Sequence, residues 1–137
     1  MDRDENATVE PASRRLDDLH PRIVSGCGQL YRDGHLGLAV EEGFKIVRAR
    51  LRQLTGHETG SEAFGRGNLR VRGSIDEFVE EDFNEAVKFL TMAIDRFRNE
   101  KAHTTADAHI DEPVRAAEYL AMSSLAMRLL DEGYLSP

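Results

Sequence analysis

A single cysteine, Cys27, excludes an internal disulfide and any zinc cage built from cysteines. Long apolar runs are absent too. The longest uncharged apolar stretch, residues 119–127, is broken by two serines and is too short for the roughly 20 residues of a membrane-spanning helix. The opening Met-Asp-Arg-Asp-Glu-Asn offers no apolar signal region, so the sequence predicts a cytoplasmic protein without membrane association. Lysine is scarce, 3 residues against 15 arginines, and arginine is the better side chain for bidentate phosphate contact. The formal charge of −7 nevertheless disfavours a broadly basic surface, so any contact with nucleic acid has to be local. There is no P-loop or dinucleotide fingerprint, and His57, His103 and His109 lack a metal-site spacing on one helix. Neither cofactor nor metal is expected.

With 137 residues, 40% of them hydrophobic, the chain can bury one core. Residues 1–17 are highly charged and nearly free of large apolar side chains, which predicts a flexible arm ahead of a single domain over 18–137. Apolar residues then recur every three or four positions in four segments. The first begins near Leu19-His20-Pro21 and carries Ile23, Val24, Cys27, Leu30 and Tyr31. The second covers about 35–54, with Leu36, Val40, Phe44, Val47, Leu51 and Leu54, and Gly56 ends it. The third spans 76–98 or slightly more, with Ser74 as a cap and Val79, Phe83, Ala86, Val87, Leu90, Ile94 and Phe97 inward. The fourth spans about 112–132, with Val114, Ala117, Leu120, Ala121, Leu125 and Leu129 inward. The pattern predicts an all-α bundle of four main helices, with a glycine-rich loop over 57–74 and a brief strand at 69–72.

The chemistry-bearing cluster is Arg98-Asn99-Glu100-Lys101-Ala102-His103, at the end of the third helix. Histidine titrates near neutrality and moves protons, and a guanidinium holds a phosphate by two parallel hydrogen bonds. Together they supply much of what RNA cleavage by a 2′-hydroxyl requires, without a metal. Basic residues in a last turn also simply complement the helix macrodipole, and asparagine suits a helix end. Spacing alone favours that plainer reading.

Several separated segments carry a family resemblance: Leu19-His20-Pro21-Arg22-Ile23, Leu30-Tyr31-Arg32-Asp33-Gly34-His35, Ala39-Val40-Glu41-Glu42, Phe97 through His103, Ala117-Glu118-Tyr119-Leu120 and Leu129-Leu130-Asp131. Through them residues 19–133 resemble the Ymh-type group of phage and prokaryotic proteins within the HEPN superfamily. Arg98, Asn99 and His103 match that superfamily's arginine, polar residue, short gap and histidine. The resemblance implies a HEPN-like bundle and a metal-independent endoribonuclease or RNA-binding domain of a defence, toxin-antitoxin or phage-conflict system. It further implies a homodimer, with an antitoxin or other protein as a further partner. It assigns His103 as general acid or base, Arg98 as phosphate clamp and Asn99 as an orienting residue. Residues 60–73 resemble the group only loosely.

Other candidates are weaker. Arg66, Arg70 and Arg72, with Lys101, are a second RNA-binding set, although the arginine loop has no aromatic residue for stacking and can instead pair with Asp76, Glu80 and Glu81. His20 and His35 stand at helix ends, where they can bond free backbone groups. Ser123 and Ser124 lie on a helix face without an adjacent base. A non-catalytic dimeric interaction module, or a nucleotide-binding domain in which Arg98 holds a phosphate, is the alternative.

Overall fold

A computed structural model describes residues 15–103 and 112–137, with the side chains of 100–103 excepted. Helix α1 (Pro21–Arg32) starts where Pro21, lacking an N–H, costs nothing, and the His20 ring at the cap accepts the Arg22 N–H at 3.1 Å. Since that interaction occupies Nδ1, the ring proton sits on Nε2, which donates to Asp131 at 2.9 Å. His35, by contrast, makes no side-chain cap to helix α2 (Leu36–Thr55). Helix α2 stops at Gly56, whose φ of 84° is left-handed backbone that glycine adopts without penalty.

A five-residue helix, α3 (Gly60–Phe64), follows, then strand β1 (Leu69–Val71). Helix α4 (Glu80–His103) and helix α5 (Pro113–Leu130) complete the bundle, and strand β2 (Gly133–Leu135) pairs antiparallel with β1, Arg70 opposite Tyr134. The described residues therefore form an all-α bundle of four long helices with a two-stranded ribbon. Central α2 buries Ala39, Val40, Phe44, Val47 and Leu51 and packs mainly on α5 and α1. Full burial of side chains such as Phe44 and Leu51 contributes about 1.5–3 kcal/mol each.

The region expected to be a loop contains more order than glycine content suggested. Thr59 accepts the Glu62 N–H at 3.2 Å and starts α3, while the buried Asn84 side chain closes the free edge of β1, accepting from Val71 N–H at 2.8 Å and donating to Val71 C=O at 3.2 Å. The cap expected from Ser74 belongs to Asp76 instead, which accepts the Phe78 N–H at 2.8 Å and opens a 3₁₀ turn (Glu77–Val79) ahead of α4. Residues 15–17 are not part of a loose arm: Leu16 is 4% exposed within a 3₁₀ turn (Leu16–Asp18), so the docked chain starts earlier than expected, while residues 1–14 lie outside the described residues.

Two inward stripes are also rotated from expectation. Val79 and Ala86 of the third segment, and Val114, Ala121 and Leu125 of the fourth, are exposed. On α4 the inner positions include polar Asn84 and Thr91, both hydrogen-bonded; on α5 they are Ala116, Leu120, Ser123, Ser124, Ala126, Met127 and Leu130. Helix α5 is apolar nearly all round, so hydrophobicity could not choose its face.

Candidate functional site

Helix α4 continues unbroken to His103, so its end is positioned as one rigid rod. An aromatic chain fixes that end: Phe97 meets Tyr119 of α5 edge-on at 5.2 Å between ring centres, and Tyr119 meets Phe44 of α2 at 5.7 Å. Phe97 is thus spent on the core. Arg98 and Asn99, the next two residues, emerge on different sides of this anchor. Arg98 is half-buried, with Nε out of solvent and without a hydrogen-bond partner among the described residues, an arrangement that costs roughly 1–3 kcal/mol unless something compensates. Asn99 is exposed.

At 100° per residue, His103 belongs to the same face as Asn99, and lies about 140° from Arg98. The side chains of His103 and Lys101 lie outside the described residues.

The Asn99 face of α4 borders a groove of about 250 Å³, lined by Thr59, Ser61, Met92, Asp95, Arg96 and Asn99. Its opposite wall is α3, brought unusually close. A Cβ on Gly60 would stand 2.0 Å from Thr91 Oγ1, so only glycine permits this approach. Asp95 then accepts the Gly60 N–H through Oδ2 at 3.2 Å, which fixes the carboxylate at the groove's edge. Burial raises the Asp95 pKa above the usual carboxylate range, with the Gly60 N–H and the charges of Arg98, Arg48 and Arg96 opposing the shift. Arg48 and Arg52 both bond Glu58, which steadies the approach to Thr59. Sequence reasoning missed Thr59, Ser61, Asp95 and Arg96. The available signal was Thr59-Gly60-Ser61-Glu62, a capping-box spacing that announces a helix inside the presumed loop.

The second candidate set is differently placed. Arg70 pairs with Glu81 at 3.2 Å and Glu80 at 3.5 Å. Burial alone would lower the pKa of this guanidinium, but its hydrogen bonds to Glu81, Glu80 and Tyr134 and the Glu81 charge raise it instead. Arg72 lies over the Tyr134 ring at 3.9 Å, an aromatic partner supplied by β2, and Arg66 is 3.9 Å from Glu62. Arg70, the least exposed of the three, is thereby committed to intramolecular carboxylates.

Ser124 is buried and accepts the backbone N–H of His20 at 2.8 Å; the imidazole itself is held by Arg22 and Asp131. No nucleophile–base pair arises there. A groove of about 390 Å³ between the Leu16–Asp18 turn and α5 is lined by Leu16, Leu19, Val114, Ala117 and Ala121 with Arg15, Asp18 and Glu118 around them. Larger and more apolar than the groove beside Asn99, it places no acid, base and nucleophile together. Among the described residues no three His, Cys, Asp or Glu side chains are grouped to hold a metal, and no helix is long and apolar enough to cross a membrane.

Fold and site together define a small helical-bundle protein with a polar groove at the end of its longest helix. The chain matches the family model described as "Protein of unknown function (Hypoth_ymh)" over residues 17–130, and it belongs to that Ymh family. No curated protein and no solved structure matches it.

Proposed function

We propose that this protein is a HEPN-type, metal-independent endoribonuclease that acts as a homodimer in a cytoplasmic defence, toxin-antitoxin or phage-conflict system. The observation that carries the reading is the continuity of α4 through His103, with Arg98 and Asn99 at the end of the same rod. Arg98 clamps the scissile phosphate, and its unpaired Nε gains the acceptor it lacks. His103 relays the proton between the 2′-hydroxyl and the leaving 5′-oxygen, and Asn99, on the same face, orients the ribose. The 140° between Arg98 and His103 favours two chains, since a two-fold pair can present Arg98 of one copy beside His103 of the other.

The test is cleavage of mixed RNA in chelator by the wild type, Arg98→Ala and His103→Ala, with each fold verified. Cleavage leaving cyclic-phosphate ends, reduced at least about 100-fold in both variants, supports the reading; undiminished cleavage by His103→Ala overturns it. A second reading, a protein-interaction module, draws on the exposed Ile75 (93%), Phe78 (89%) and Phe89 on and ahead of α4. It predicts a folded protein that cuts no RNA and loses a bound partner when Phe78 becomes aspartate.

A further inference from the structure

We infer that the groove between α3 and α4 is a base-reading subsite that selects guanine next to the scissile phosphate. The inference takes its substrate class from the ribonuclease reading, but its chemistry comes from the groove itself. At about 250 Å³ the space lies below the roughly 300–1,000 Å³ of pockets for drug-sized ligands, so it suits one ring system rather than an extended cofactor. Met92 offers an apolar, polarisable surface for a ring face.

The polar groups then decide which ring. Among the described residues, the side chains of Arg96, Asn99 and Ser61 make no hydrogen bond or ion pair, and the carboxylate of Asp95 accepts one hydrogen bond, from Gly60 N–H to Oδ2. A cation and an anion on adjacent residues cancel in net charge. The groove therefore favours a neutral ligand offering an acceptor beside donors over a free ion. Guanine has that edge: O6 faces Arg96 while N1–H and N2–H face Asp95. Uracil sets a second carbonyl against the carboxylate, and adenine and cytosine put an amine where Arg96 needs an acceptor. The Gly60 N–H holds Asp95 in place before any ligand arrives, which lowers the ordering cost of recognition.

The position also fits the reading of α4. Asn99 lines the groove and shares its face with His103 one turn on, so a base seated here leaves its own phosphate near the end of the helix.

The experiment is a titration of the full-length protein with guanosine, adenosine, cytidine and uridine monophosphates, followed by backbone amide NMR, for the wild type and Asp95→Asn. Asparagine retains an acceptor for Gly60 N–H, so this variant keeps the wall in place. Expected are shifts confined to residues 59–61 and 92–99, preference for the guanine nucleotide, and roughly tenfold weaker guanine binding in the variant. Equal binding of all four nucleotides, no binding, or binding indifferent to Asp95→Asn overturns the inference. Guanine selectivity in a protein that cuts no RNA would sink the nuclease reading alone; RNA cleavage without guanine preference, with nucleotides bound alike, would sink the subsite alone.

Discussion

Replacing Gly60 with alanine is the sharpest perturbation of the groove. At an ordinary helical position this change removes unfolded-state freedom and stabilises by about 0.4–1 kcal/mol. Here the new Cβ meets Thr91 Oγ1 at 2.0 Å, Thr91 Cβ at 3.0 Å and Lys88 C=O at 3.1 Å, and Thr91 is fully buried. Oγ1 cannot simply swing away, because it donates to Lys88 C=O at 2.8 Å, one turn back in its own helix α4. Helix α3 must therefore lift off α4, breaking the Gly60–Asp95 hydrogen bond, and overpacking of this kind costs about 1–3 kcal/mol. Urea unfolding read by far-UV circular dichroism should show a lowered midpoint with an unchanged slope. Thr91→Ala removes the blocking oxygen at a cost of its own, so the double variant should lose about 1 kcal/mol less than the two single losses added. A Gly60→Ala protein as stable as wild type or more so, or strictly additive losses, would refute the close approach that builds this wall.

Three further perturbations test other parts of the structure. His20→Ala removes the cap of α1 and the tie to Asp131, and should cost about 2–4 kcal/mol by urea denaturation, with His20→Asn restoring the cap but not the tie; a loss under about 0.5 kcal/mol would contradict both roles. Asp95, raised by burial, binds its proton more tightly in the folded than in the unfolded chain, so its contribution is full below about pH 4 and is lost as pH rises through the folded value. Asp95→Asn should accordingly gain stability relative to wild type between pH 4 and pH 7, and a relative gain on acidification would be the wrong sign. Cys27 is fully buried, and burial, aided by Glu42, lifts its thiol to about 12. Its labelling by a disulfide reagent at pH 8 should track global unfolding, whereas labelling at a free-thiol rate in native buffer would show that α1 opens locally.

The helices were legible because their punctuation is chemical. Pro21 and Pro113 at helix starts, Gly56 at an end and the stripe through Val40, Phe44, Val47 and Leu51 each have a local reason to act as they do. What was illegible depends on the neighbour. Asn84 reads as a surface residue until β1 supplies Val71 as its partner, and Thr91 as a flaw in a hydrophobic stripe until Gly60 lies against it. The face of α5 was misjudged for the same reason, since Leu125 and Leu120 are equally apolar and only α2 decides between them. Tertiary partners settle polar positions inside a helix, and hydrophobic period alone cannot.

The site divides along the same line. Arg98, Asn99 and His103 were visible because they are consecutive on one element, but consecutive residues on a helix fan apart: Asn99 borders the groove, while Arg98 turns toward the core edge. Asp95 and Arg96 precede the recognised cluster by less than a turn, and Thr59 and Ser61, which line the groove with them, lie more than thirty positions away, in a segment whose glycines suggested no structure. Glycine here serves contact: without a side chain at 60, α3 reaches α4 and turns a solvent-facing helix end into a walled groove. Because one rigid helix separates Arg98 from His103 by about 140°, a mechanism needing both on one phosphate requires either a long arginine reach or a second chain. Mixing Arg98→Ala with His103→Ala distinguishes them: a two-chain site regains up to about a quarter of wild-type activity in an equimolar, fully exchanged mixture, because about half of the dimers are heterodimers and one of the two composite sites of each is intact. A single-chain site regains none.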